Sequence, residues 1–164
     1  MIVVSDSSPL IALASVGQLS LLQTLYGRVA IPEAVRNEVA GDVVERPGSR
    51  EVLDTEWIEV IPASDTIERY LVLTLVDRGE AEAIALAIQL DAELLIVDDR
   101  RARAVAEEMG VRVTGVVGVL LEAKQHGLVA AVKPILDAMS ATVGFRLSRR
   151  FYDAALQSAG EIDG

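Results

Sequence analysis

The sequence predicts an α/β fold: three α/β/α layers around a central, mainly parallel sheet. Three observations predict it. Candidate strands alternate with candidate helices along the chain, an order that favours parallel pairing with helices on both faces. Leu94–Val97 is an unbroken apolar run rather than an alternation, as expected of a strand covered on both sides. The chain is 51% hydrophobic but only 4% aromatic, so Ala, Val, Leu and Ile fill the interior.

The elements follow in order. Ile2–Ser5 reads as a short buried strand. Ser7 or Ser8 can cap the next helix, Leu10–Ser15, with Pro9 in its first turn and Gly17 after its end. Leu19–Leu25 is a second short helix, stopped by Gly27. Val29–Ile31 is a strand closed by Pro32, which starts the helix Glu33–Ala40. Gly41–Ser49 is polar, holds Pro47 and Gly48, and reads as a surface loop before a short helix over Arg50–Leu53. Trp57–Ile61 alternates and is rich in β-branched residues, the pattern of a strand. Thr66–Leu75 is read as helical. Gly79 precedes a strong helix, Glu80–Leu90, and the strand Leu94–Val97 follows. Arg100–Met109 is a helix stopped by Gly110, and Val111–Thr114 is the last strand. Val116–Gln125 is a helix ending at His126-Gly127. Val129–Met139 is another, kinked or interrupted by Pro134. Ser148 caps a final helix, Arg149–Ser158. No internal repeat, low-complexity tract or linker divides the 164 residues, which are expected to form a single domain, 1–164.

Composition excludes several function classes. The chain has no cysteine, so disulfides, zinc–thiolate sites and thiol nucleophiles are ruled out. A cytoplasmic location fits that usage. No apolar run is long enough to span a bilayer, and Asp6 interrupts the N-terminal apolar stretch, so no membrane role is expected. The formal net charge of −10 opposes non-specific binding to nucleic acid.

Acidic residues recur where apolar segments begin or end: Asp6, Glu38, Glu80 with Glu82, and Asp98-Asp99. Carboxylates at strand ends and helix starts can converge, and converged carboxylates repel unless a cation sits among them. With one histidine and no cysteine, oxygen is the plentiful ligand, which points to a hard divalent ion, Mg²⁺ or Mn²⁺. Each acid also has a plainer reading. Asp6 lies where a parallel sheet binds ligands, but it also stands where a helix cap would. Glu38 borders the apolar stripe of its helix, where most glutamates are simply solvated, and Glu33 is explained by the helix dipole. Glu80 and Glu82 project about 160° apart on their helix, so they do not share one role. One of Asp98 and Asp99 serves as an N-cap, which leaves the other to explain. Gly115-x-x-Gly118 is too short for a phosphate loop. Arg100, Arg101 and Arg103, with Arg146, Arg149 and Arg150, form either a solvated face paired with Glu107 and Glu108 or a rim that steers phosphate.

The ordered motifs resemble one family. Val4–Leu13 (Val-Ser-Asp-Ser-Ser-Pro-Leu-Ile-Ala-Leu) is similar to the opening of PIN-domain proteins, and Ile31–Val39 (Ile-Pro-Glu-Ala-Val-Arg-Asn-Glu-Val) to their second acidic motif. Gly79–Ala87 and Leu94–Arg103 resemble the third and fourth. Gly110–Lys124 and Gly144–Ser148 resemble a prokaryotic PIN subgroup related to VapC-type toxins. The resemblance implies a metal-dependent ribonuclease in which Asp6, Glu38, Glu80 and Asp98 are the four acids. Asp6, Glu80 and Asp98 would hold Mg²⁺ or Mn²⁺, with Asp99 as an accessory ligand, and Ser8, Arg100 and Arg101 would meet the substrate. It further implies an RNA substrate, a homodimer and a small antitoxin partner. Glu82 has no counterpart in the wider family. Glu stands at position 80 where many relatives have Asp, and Asp98-Asp99-Arg100-Arg101 replaces the usual Asp-Phe pair of the toxins.

Two other readings compete. A PIN-like binding module would use the acidic groove to dock a basic protein partner. A phosphoaspartate receiver would also place an Asp pair at a strand end, but it needs a late lysine at a strand end, and Lys124 and Lys133 fall in predicted helices.

Overall fold

The computed structural model describes residues 1–41, 46–64, 66 and 73–162. Five short strands form one sheet: β1 (Val3–Ser5), β2 (Val29–Ile31), β3 (Ile58–Val60), β4 (Leu94–Ile96) and β5 (Val113–Thr114). Their order across the sheet is β3-β2-β1-β4-β5, and every pairing is parallel, so the mainly parallel sheet expected is parallel throughout. The helices among the described residues are α1 (Ser7–Ser15), α2 (Ser20–Tyr26), α3 (Glu33–Ala40), α4 (Ser49–Leu53), α5 (Arg78–Gln89), α6 (Arg100–Glu108), α7 (Val116–Gln125), α8 (Lys133–Val143) and α9 (Arg149–Ser158). They cover the sheet in the three-layer α/β/α arrangement.

The strand order creates the place where a site can form. The chain runs outward from β1 to β2 and β3, then returns to the other side of β1 as β4. The order therefore reverses between β1 and β4, and open parallel sheets bind ligands at the carboxyl ends of strands flanking such a reversal. The register sets those two ends level, with Ser5 opposite Ile96, and the Asp6 N–H extends the ladder to the Ile96 carbonyl at 2.9 Å. Asp6 and Asp98 thus leave neighbouring strands at the same edge of the sheet.

Small apolar residues let the layers approach. In α5, Ala81, Ala83, Ile84 and Leu86 are fully buried, and the helix lies against β1, β4, α3 and α6. Burying such side chains stabilises the fold by roughly 25 cal/mol per Å² of apolar surface. Gly48 shows how tight the packing is. Its φ of +85° and its position against the Ala14–Ser15 backbone leave no room for a Cβ, so the residue before α4 must be glycine.

Boundaries differ from the sequence expectation by more than one residue at three helices. Helix α1 starts at Ser7, with Asp6 rather than a serine in the cap position. Helix α5 starts at Arg78, so Gly79 lies inside its first turn instead of before it. Helix α8 starts at Lys133, not Val129, and continues to Val143 without a kink. Pro134 sits in its first turn, where the missing N–H has no helical acceptor to lose. The helix expected over Thr66–Leu75 and part of the loop Gly41–Ser49 lie outside the described residues.

The C-terminal segment is tied back by one carboxylate. Glu161 accepts hydrogen bonds from the Val132 and Lys133 backbone N–H groups at 2.7 and 2.9 Å, capping α8, and pairs with the Lys124 ammonium at 3.0 Å. These donors hold its carboxyl below the usual glutamate range. Replacing Glu161 with Ala removes a cap and strands its donors. Denaturant unfolding should show a loss of about 1–2 kcal/mol.

Candidate active site at the β1–β4 edge

Asp6 occupies the N-cap position of α1, with φ −79° and ψ 170°, yet its side chain makes no capping hydrogen bond. It is only 4% exposed, and its Oδ1 is buried without a partner. The helix therefore does not explain this carboxylate. Burial pushes its pKa up to about 7; the Ser7 backbone N–H opposes the shift, and repulsion from Glu38, Asp77 and Asp98 adds to it.

Asp98 emerges from β4 beside it. Its Oδ1 accepts from the Val116 N–H at 3.0 Å, capping α7, whose N-cap residue Gly115 has no side chain to do so. Its Oδ2 is buried and unpartnered. Burial raises its pKa, while the Val116 N–H and the nearby Arg103 guanidinium pull it back. Gly115 is pressed against the Asp98 carboxylate and Arg103, and a Cβ there would displace them.

Helix α3 delivers Glu38. Its Oε2 accepts from the Ser7 hydroxyl at 2.5 Å, a charge-assisted bond that ties α3 to the first residue of α1. The same carboxylate lies against Gly79 in the first turn of α5, in space that a Cβ would occupy. The plainer reading of Glu38 as a solvated surface acid therefore gives way. Ser7, buried, is the serine that reaches the acidic cluster; Ser8 is exposed and lines a neighbouring cleft of about 390 Å³ with Arg46 and Phe145.

Glu80 and Glu82 part company, as their helical spacing requires. Glu80 forms a capping box with Asp77: the Glu80 N–H donates to Asp77 Oδ1 at 2.9 Å, and the Asp77 N–H approaches Glu80 Oε2 at 3.4 Å. Burial pushes the Glu80 pKa up to about 7, and Asp77, Asp99 and Asp6 repel its charge further. Glu82 is 5% exposed and faces away, accepting the Ala34 N–H at 3.0 Å. It caps α3, whose own cap residue, Pro32, carries no acceptor side chain. Asp99 caps α6 through the Ala102 N–H at 2.9 Å, so one member of the Asp pair is indeed a cap, and the other, Asp98, caps α7 with a single oxygen.

Asp77 is the acid that the motif reading missed. It stands within electrostatic reach of both Asp6 and Glu80. Its signal was present: an Asp three residues before a Glu, ahead of an apolar helix, is a capping box.

Asp6, Glu38, Asp77, Glu80, Asp98 and Asp99 therefore share one edge of the sheet, around the starts of α1, α5, α6 and α7. The partial positive charge of helix N-termini favours anions there. Among the described residues, no three carboxylate or imidazole side chains stand close enough to ligate one ion directly. The free oxygens of Asp6 and Asp98 nevertheless fit a hard cation: two anionic oxygens, buried and without donors, at adjacent strand ends. An ion here would keep much of its water, as Mg²⁺ commonly does.

A cleft of about 750 Å³ opens from Asp98. Arg100 and Arg103 from α6 line it, together with Arg146, Arg150, Phe145 and Phe151. The two arginine clusters, distant in sequence, thus meet. Among the described residues, Arg100 and Arg103 make no ion pair with Glu107 or Glu108, which removes the solvated-face alternative for them. Arg101 is exposed and is not part of the cleft lining. Arg149 is engaged by Asp153 at 3.4 Å. Lys124 pairs with Glu161 and Lys133 with Asp137, so neither supplies the lysine that a receiver site needs.

Two outcomes follow from this geometry. The folded protein holds protons on Asp6 and Glu80 up to about pH 7, whereas the unfolded chain releases them near pH 4. The unfolded state then binds fewer protons in that window, so metal-free stability falls as pH rises from about 4 to about 7. Denaturant melts across that range should show the fall, and Asp6→Asn should flatten it and stabilise the metal-free protein at pH 8 by on the order of 2 kcal/mol. Gly79→Ala should leave the melting temperature within a few degrees, because Ala favours helix and only the flexible end of Glu38 must move. It should nonetheless weaken Mn²⁺-induced stabilisation, read by thermal shift.

No curated protein matches the sequence. Among the described residues, no single helix is long and apolar enough to cross a membrane. The family model described as PIN domain matches residues 2–161, nearly the whole chain and all the acids described above. The chain belongs to the PIN-domain family, whose members are generally nucleases that use divalent metal ions.

Proposed function

We propose that this protein is an endoribonuclease dependent on Mg²⁺ or Mn²⁺. The observation that carries the proposal is the pair of buried, unpartnered oxygens, Asp6 Oδ1 and Asp98 Oδ2, at the ends of adjacent strands. Asp6 and Asp98 would hold the ion, with Glu38, Glu80 and Asp77 adding negative charge around it and Asp99 at the margin. A divalent ion in such a site supplies positive charge to a phosphodiester and acidifies water.

The chain's own side chains do the remaining work. Ser7 fixes the Glu38 carboxylate through its hydroxyl, so this acid meets the substrate in one orientation. Glu80, with its pKa near 7, is poised to exchange a proton at Oε1 or Oε2 at neutral pH. Arg100 and Arg103 flank Asp98 and would draw the phosphate backbone toward it, against the repulsion of a chain with net charge −10. The similarity to VapC-type toxins extends the proposal to a cytoplasmic homodimer held in check by a small antitoxin. The binding-module reading makes the opposite forecast, stabilisation by a basic peptide and none by metal.

Purified protein should cleave unstructured RNA with Mg²⁺ or Mn²⁺ and not with EDTA. Asp6→Asn should lower the rate by at least a hundredfold while the protein remains folded. Cleavage by the variant at the wild-type rate removes Asp6 from the chemistry. A thermal melt that rises with a basic peptide but is indifferent to Mn²⁺ favours the binding module instead.

A further inference from the structure

We propose that the cleft beside Asp98 is a track for single-stranded RNA, in which the Phe151 ring stacks on a base while Arg146 and Arg150 hold the flanking phosphates. The proposal rests on the nuclease reading for its substrate class, and adds the residues that make the enzyme choose an unpaired strand.

Four arginines of a strongly acidic chain gather in this one cleft: Arg100, Arg103, Arg146 and Arg150. Among the described residues, Arg100, Arg146 and Arg150 have no carboxylate partner to neutralise them. A solvated face would interleave both signs, whereas here Asp98 is the one acid in the lining. Phe151 completes the site. It is 57% exposed, at the start of α9, although only two phenylalanines occur in the chain and both line this cleft. A large exposed apolar ring among guanidinium groups matches the chemistry of single-strand binding, in which cationic groups follow the backbone and aromatic faces stack on bases. A duplex keeps its bases stacked on one another and offers no free face to the ring.

The same cleft is lined by Asp98 as well as by Phe151 and Arg150. A strand laid along it would deliver a phosphodiester to the carboxylates at the β1–β4 edge.

The test is fluorescence anisotropy with a labelled, unstructured oligouridine and, separately, an RNA duplex, both in EDTA so that binding is read without cleavage. Wild type should bind the oligouridine more tightly than the duplex. Phe151→Ala should weaken single-strand binding about tenfold or more and leave the duplex unaffected. Phe151→Tyr should keep affinity and Phe151→Leu should lose it, which separates the aromatic face from mere apolar bulk and covers the case of a poorly folded Ala variant. Arg150→Gln should lower the slope of log affinity against log salt by about 0.7. Unchanged oligouridine affinity in Phe151→Ala overturns the proposal, as does equal wild-type affinity for strand and duplex. A change in oligomeric state with no change in RNA affinity would reassign Phe151 to contact between copies of the chain. Ring-dependent binding by the wild-type protein, with no cleavage when Mg²⁺ or Mn²⁺ is added, would retain this inference while defeating the nuclease reading.

Discussion

The molecule is organised around carboxylates that the fold buries and does not satisfy. Leaving a buried polar group without a partner costs about 1–3 kcal/mol, and more for a charged one. Asp6 and Asp98 each leave an oxygen in that state, side by side at the end of the sheet. A domain held together by a small margin over unfolding does not retain such a pair by accident. The cost is tolerable because helix N-termini surround the cluster and because protons occupy Asp6 and Glu80 up to about pH 7. A cation would replace those protons, which ties metal affinity to pH: the same groups that destabilise the empty protein at alkaline pH are the ones freed to bind.

Second to that constraint is the close approach of layers that brings Glu38 in. Glu38 belongs to α3, separated in the chain from Asp6 by α1, α2 and β2, yet Ser7 and Gly79 lock it against the starts of α1 and α5. The lock needs a glycine in a helical first turn, a position where Ala would be intrinsically better by roughly 1 kcal/mol. Local helix stability has been set aside in favour of room for a carboxylate. Glu82 shows the contrast: it is as buried as Asp6, but its oxygen has the Ala34 N–H to accept from, and so it is a structural acid.

Much of this was legible in the sequence. The five strands and their parallel pairing followed from short apolar runs separated by helix-length segments, and α3 and α7 begin and end where their Pro, Gly and His punctuation placed them. Less legible was the job of each acid. Spacing along α5 separated Glu80 from Glu82, but it did not reveal that Glu82 reaches across to α3, a contact 48 residues distant. Asp77 carries a readable capping signal, an Asp three residues before Glu80, although the nearby Gly79 reads as a helix boundary. The extent of α8 turned on Pro134, which can kink a helix or begin one; only the packing of Leu136 and Met139 into the core decides between them. The convergence of two arginine clusters was beyond any local rule, because it depends on how α9 lies against α7.

Charge distribution resolves the apparent conflict between an acidic chain and the polyanionic substrate proposed for it. Screening in physiological salt confines exposed-charge interactions to about 8 Å, so a strand in the cleft responds to the guanidinium groups it touches rather than to the net charge of −10. The surrounding acidity then has a use. It disfavours adsorption of nucleic acid elsewhere on the surface, so the arginine-lined cleft is where the proposed substrate's phosphate backbone would meet least repulsion. Within that cleft the lining carries both signs, four arginines and Asp98. A phosphate near the guanidinium groups is attracted and one near Asp98 is repelled, and a cation beside Asp98 would remove that repulsion. On the proposed function, metal binding and substrate binding would thereby be coupled through electrostatics, with no conformational change required to link them.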